Sequence, residues 1–78
     1  MFIKQLSVFI ENEEGRLEEV LDVLKEEQIN IISLSLADTS EYGILRLITT
    51  KPEAAQAALK NKGFTARLTD VLAVRLTH

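Results

Sequence analysis

The spacing of apolar residues along this chain switches between a strand period and a helix period, and it does so in two successive halves. Between Phe2 and Ile10, Leu6, Val8 and Ile10 share one parity while Gln5 and Ser7 take the other, the alternation of a half-buried strand. At Leu17 the period changes. Leu17, Val20, Leu21 and Leu24 stand at i, i+3, i+4 and i+7, with Glu18, Glu19, Asp22, Lys25, Glu26 and Glu27 between and beyond them. This spacing predicts a helix of about three turns with one face on a core. Its early carboxylates suit the positive end of the helix dipole.

The second half repeats the alternation. Ile29 to Ala37 is β-branched and apolar, with Ile32, Leu34 and Leu36 on one face and Ser33 and Ser35 on the other. Asp38 to Gly43 is turn chemistry, and Ile44 to Thr50 is a further strand, so the two strands form a hairpin. Pro52 opens a second helix, where its missing N–H costs nothing. Ala55, Ala58 and Leu59 face inward on that helix, and Gly63 stops it. Phe64 to Thr77 is a last extended run, long for one strand.

The order β-α-β-β-α-β, with right-handed crossovers, predicts an α+β fold. It is a ferredoxin-like βαββαβ sandwich, a four-stranded antiparallel sheet with both helices on one face. Residues 1–78 leave room for one domain. A chain of this size buries only about 60% of its unfolded surface. There are no cysteines, and the one histidine, His78, is the last residue. With neither disulfide nor metal as a staple, self-association is the expected support. The net charge of −3 and pI near 5.0 come without a basic stripe, which argues against nucleic acid and anionic membranes. No apolar run reaches the roughly 20 residues that span a bilayer. The N-terminus lacks the small-residue cleavage site of a signal peptide, so a soluble cytoplasmic protein is expected.

Several chemistries of this fold are excluded by residue type. Phosphate hydrolysis of the acylphosphatase kind needs an arginine in the first βα loop and an asparagine to orient water. Arg16 is in the right region, but the third strand has no asparagine and the neighbouring glutamates repel an anion. Base stacking needs sheet-face aromatics, and the chain has three Phe and one Tyr. Ser33 and Ser35 have no internal histidine to activate them. No enzymatic activity, metal or cofactor is expected.

The segment "LSVFIENEEGRLEEVLDVLKEEQINI" resembles the opening of an ACT domain, the amino-acid-sensing module of biosynthetic enzymes. Asn12, Gly15, Leu17, Asn30 and Ile31 match the family pattern, and Pro52 and Gly63 continue the likeness over most of the chain. The chain is most similar to small proteins of two ACT repeats, some of them labelled as similar to the acetolactate synthase regulatory subunit. Glu14 stands where the family prefers Pro, and Gln28 where Gly is common. The resemblance implies that a small amino acid binds between two domains, in contact with the first loop of one and the start of the second strand of its neighbour. That implicates Asn12, Glu13, Glu14, Gly15 and Arg16 on one side and Asn30 and Ile31 on the other. It also implies a homodimer or higher homo-oligomer that acts allosterically on a biosynthetic enzyme.

The chemistry of these residues suits that role. Free N–H groups at a helix start, around Glu14 to Arg16, receive a carboxylate. Gly15 lets a ligand approach the backbone, Asn12 and Asn30 both donate and accept, and Glu11 or Glu13 attracts an ammonium. Each residue also has an ordinary structural use: Asn12 as a helix cap, Gly15 and Asn30 as turn residues. The alternative function is a dimerisation module without a ligand. At the C-terminus, residues 71–78 overlay residues 5–12, with Leu72 on Leu6, Val74 on Val8 and Leu76 on Ile10. They are either an edge-strand or swapped extension, or the start of a second repeat; both versions predict self-association.

Overall fold

In a computed structural model the chain forms β1 (Phe2–Glu11), α1 (Arg16–Glu26), β2 (Ile31–Asp38), β3 (Tyr42–Thr49), α2 (Pro52–Asn61) and β4 (Thr65–Leu72). The structure describes residues 2–11, 15–38 and 41–72. The strands make one antiparallel sheet in the order β2-β3-β1-β4. Each helix returns the chain past one intervening strand, which gives the ferredoxin-like α+β sandwich expected.

Register and alternation build the core. Leu6 lies opposite Leu47 on one side and Leu68 on the other, and Val8 opposite Leu45 and Ala66. Leu6, Val8, Leu45 and Leu47 are fully buried beneath Val20 and Leu24 of α1 and Ala55 and Leu59 of α2. Each such side chain contributes about 1.5–3 kcal/mol by leaving water. The amide of Gln56 donates to the Ala66 carbonyl at 3.0 Å and ties α2 to β4.

Two expectations need correction. In α1 the buried set is Val20, Val23 and Leu24, whereas Leu21 is only half-buried. The backbone of α1 approaches α2 and β1 and not β2, so its core stripe is turned toward Val23, and Leu21 is left on the β2 side, where it lines a groove with Ile31. In β2, Ile32, Leu34 and Leu36 do not form one face. Leu34 and Leu36 pair with the buried Leu47 and Leu45, but β2 is an edge strand with no helix over it, and they are 46% and 44% exposed. A register shift between Ile31 and Ser33 separates Ile32 from them and leaves it 67% exposed.

The helices end alike. After α1 the N–H of Gln28 bonds the Lys25 carbonyl and that of Ile29 the Leu24 carbonyl; after α2, Gly63 bonds Lys60 and Phe64 bonds Leu59. Both are Schellman ends that fold a buried apolar residue, Ile29 or Phe64, back under the helix. The left-handed position is glycine in one, Gly63 at φ 91°, and Gln28 at φ 58° in the other. α1 therefore ends in the same turn as α2 while carrying a strained residue. Strand β4 continues through Val71 and Leu72, paired with Ile3 and Phe2. The rest of the expected 71–78 extension lies outside the described residues.

Candidate functional site

Gly15 is the N-cap of α1, at φ 88° and ψ −10°, and its peptide makes no side-chain cap hydrogen bond. The capping position thus belongs to Gly15 and not to Asn12; Asn12, Glu13 and Glu14 lie outside the described residues. The first helical bond runs from the Glu19 N–H to the Gly15 carbonyl at 3.0 Å. The N–H groups of Arg16, Leu17 and Glu18 consequently have no helical acceptor. Among the described residues, nothing lies within 4 Å of the place a Cβ would take on Gly15. Its glycine is needed for the left-handed backbone, and the space above it is open.

Arg16 is fixed. Its guanidinium bonds Glu19 at 3.0 Å and lies 4.4 Å from the centre of the Phe64 ring. Its Nε is buried without a partner among the described residues, a state that costs about 1–3 kcal/mol. Arg16 lines a cleft of about 340 Å³ with Phe9, Ile10, Glu11, Gly63 and Thr65. Glu11 is thus placed beside the helix start.

Asn30 is held by its backbone: its N–H donates to the Thr50 hydroxyl at 3.2 Å and its carbonyl accepts from the Thr50 N–H at 3.0 Å. Its side chain is exposed and makes no hydrogen bond among the described residues. Asn30 and Ile31 line a groove of about 230 Å³ with Leu21, Leu24, Lys25, Gln28 and Ile29. Ile31 pairs with Thr49, whose buried hydroxyl has no partner among the described residues. Sequence reasoning passed over Thr49; a threonine on the apolar parity of β3 was the available signal.

The structure does not bring the two groups together within one chain. Glu11 stands opposite Tyr42 at one end of β3, and Ile31 opposite Thr49 at the other. Seven residues of strand separate them, about 24 Å. The Arg16 cleft and the Asn30 groove share no lining residue. Among the described residues, no cluster of His, Cys, Asp or Glu could hold a metal, and no helix is long and apolar enough to cross a membrane.

Order, register and two helices on one face define the class as small two-layer α+β domains of ferredoxin-like topology. Within it, the chain belongs to the ACT domain pair family, whose model matches residues 1–78. A solved protein from Bacteroides thetaiotaomicron is 47% identical with a TM-score of 0.86, over 90% of this chain and 49% of that one. The regulatory subunit of aspartate kinase from Thermus thermophilus, in its ligand-free form, is 18% identical with a TM-score of 0.74, over 85% and 49%. The ACT domain of prephenate dehydrogenase from Bacillus anthracis is 26% identical with a TM-score of 0.70, over 81% and 99%. The chain spans about half the length of the first two. None of the curated proteins compared with the chain matches it.

Proposed function

We propose that the chain is a cytoplasmic regulatory module that binds a small amino acid between two ACT domains and acts allosterically on a biosynthetic enzyme. One domain supplies Asn12, Glu13, Glu14, Gly15 and Arg16, and the other supplies Asn30 and Ile31. The observation that carries this reading is the separation of the two groups beside an uncovered apolar edge. Ile31, Ile32, Leu34 and Leu36 of β2 are 36–67% exposed, and an edge of this kind pairs with another strand or is a liability.

Antiparallel pairing of β2 with the β2 of a second domain turns one copy end for end. The Asn30 end of each then meets the Gly15 end of the other, as an isologous twofold contact requires. The free N–H groups of Arg16, Leu17 and Glu18 receive the ligand's carboxylate, and the Asn30 amide of the neighbour completes its polar contacts. Binding across the contact stabilises the paired state, which is how occupancy reaches a bound enzyme.

The second reading, pairing without a ligand, is favoured by the same exposed edge, which pairing alone would bury. A thermal-shift screen of the twenty amino acids separates the two. A ligand at 100 times its Kd adds about 2.7 kcal/mol of stability. No shift at millimolar concentration with any amino acid leaves only the pairing function. A shift that persists after Asn12→Ala and Asn30→Ala together rules out the assigned residues.

A further inference from the structure

The helix-free face of the sheet carries a charge pattern that the amino-acid site does not use. Register places Ser35, Arg46, Ser7 and Arg67 in one row across all four strands. Their parity is opposite to that of the buried Leu45, Leu47, Leu6 and Val8, so the row lies on the face away from the helices. Arg46 and Arg67 flank the same serine from neighbouring strands, about 10 Å apart at Cα. Both are exposed, and neither has an ion-pair partner among the described residues, whose salt bridges are Lys4–Asp70 and Arg16–Glu19.

The acidic groups are elsewhere. Glu18, Glu19, Asp22 and Glu26 are exposed on α1, in the other layer. On the strands, Glu11 is the described carboxylate that shares the parity of Ser7, four residues away, or about 14 Å along β1. A chain of net charge −3 therefore presents a basic face and an acidic one. Apolar groups border the arginine row: Phe9 is 38% exposed, and Ile44 and Ile48 are half-buried. Arginine beside aromatic and aliphatic groups is the composition of protein interfaces.

Charge decides the occupant. A second copy laid face to face would oppose arginine rows, and like charges brought together across an interface are unfavourable. A single-stranded nucleic acid needs a series of aromatic stacking platforms, and among the described strands register gives this face Phe9 and Tyr42 alone, on a chain of net charge −3. We propose that the helix-free face docks an acidic surface of a protein partner, whose carboxylates are taken by Arg46 and Arg67 on either side of Ser7. Guanidinium forks suit carboxylates because two parallel N–H groups bond both oxygens. Four strands of eight residues offer roughly 500 Å², short of the roughly 800 Å² per side of a standard interface, and two domains side by side offer about twice as much. The doubled area requires the pairing proposed above; the charge complementarity does not.

The test is amide chemical-shift mapping of the isotope-labelled chain with a dodecapeptide of alternating Glu and Leu. The expected shifts centre on Ser7, Arg46 and Arg67, with affinity falling about tenfold or more at high salt and in Arg46→Gln/Arg67→Gln. No shift on this face at about 1 mM peptide overturns the proposal. So do shifts centred on β2 or α1, equal binding by a Lys-Leu peptide, equal shifts from free glutamate, or displacement by oligouridylate. Mapping on the native chain does not depend on how the double variant folds. A charged Ile32→Glu variant that fails to pair but still shows the same shifts separates failure of the pairing from failure of the docking.

Discussion

The two ends of this domain differ in what they leave unfinished. At the Gly15 end, donors are in excess: the first-turn N–H groups have no helical acceptor, and Arg16 Nε is buried without a partner among the described residues. At the Asn30 end the backbone is satisfied by Thr50, while the Asn30 amide and the Thr49 hydroxyl have no partner among the described residues. One end suits a carboxylate, and the other adds an adaptable amide. About 24 Å of sheet lies between them, so a ligand that needs both has to be met by two domains. The apolar edge of β2 offers the means of bringing them together.

The largest effect expected is on assembly. Ile32→Glu with Leu34→Glu puts charge on the β2 edge, and the mass in solution measured by sedimentation should fall to that of one chain, with the amino-acid shift lost. Next, Gly15→Val forces a β-branched side chain to φ 88° and should cost about 1–3 kcal/mol, read as a lower Tm by several degrees per kcal/mol. The mirror case is Gln28→Gly, which relieves a left-handed residue at φ 58° and should raise stability by up to about 1 kcal/mol. The smallest effect on stability belongs to Asn30→Ala. The hydrogen bonds at that position are made by its backbone, so unfolding in denaturant should move by no more than about 0.5 kcal/mol while the amino-acid shift is lost. A large destabilisation instead would mean that Asn30 serves the turn and not a ligand.

The fold was legible because period and punctuation agree. Leu6, Val8 and Ile10 mark β1, Pro52 and Gly63 bracket α2, and the strand order follows from two interleaved crossovers. The errors arose where a tertiary neighbour decides. Leu17, Val20, Leu21 and Leu24 fit one helical face, yet α1 leans toward α2 and buries Val23 in place of Leu21. Ile32, Leu34 and Leu36 read as one apolar face, yet a bulge takes Ile32 off it, and the edge position leaves all three exposed. That apolar edge is what the proposed second domain would cover. The resemblance to ACT domains singles out Gly15 and Asn30. Their placement at opposite ends came only from topology.

Mixing two inactive variants tests the two-domain site most directly. Asn12→Ala and Asn30→Ala chains should each fail to bind the amino acid found in the screen. In a mixed pair, the intact loop of the Asn30→Ala copy faces the intact Asn30 of the Asn12→Ala copy, which restores one full site. Titration calorimetry of an equimolar mixture, refolded together, should then recover about one-quarter of the native number of sites at native affinity, because half of the pairs are mixed and each carries one good site. No recovery in the mixture, or native binding by either variant alone, would contradict a site shared between two domains.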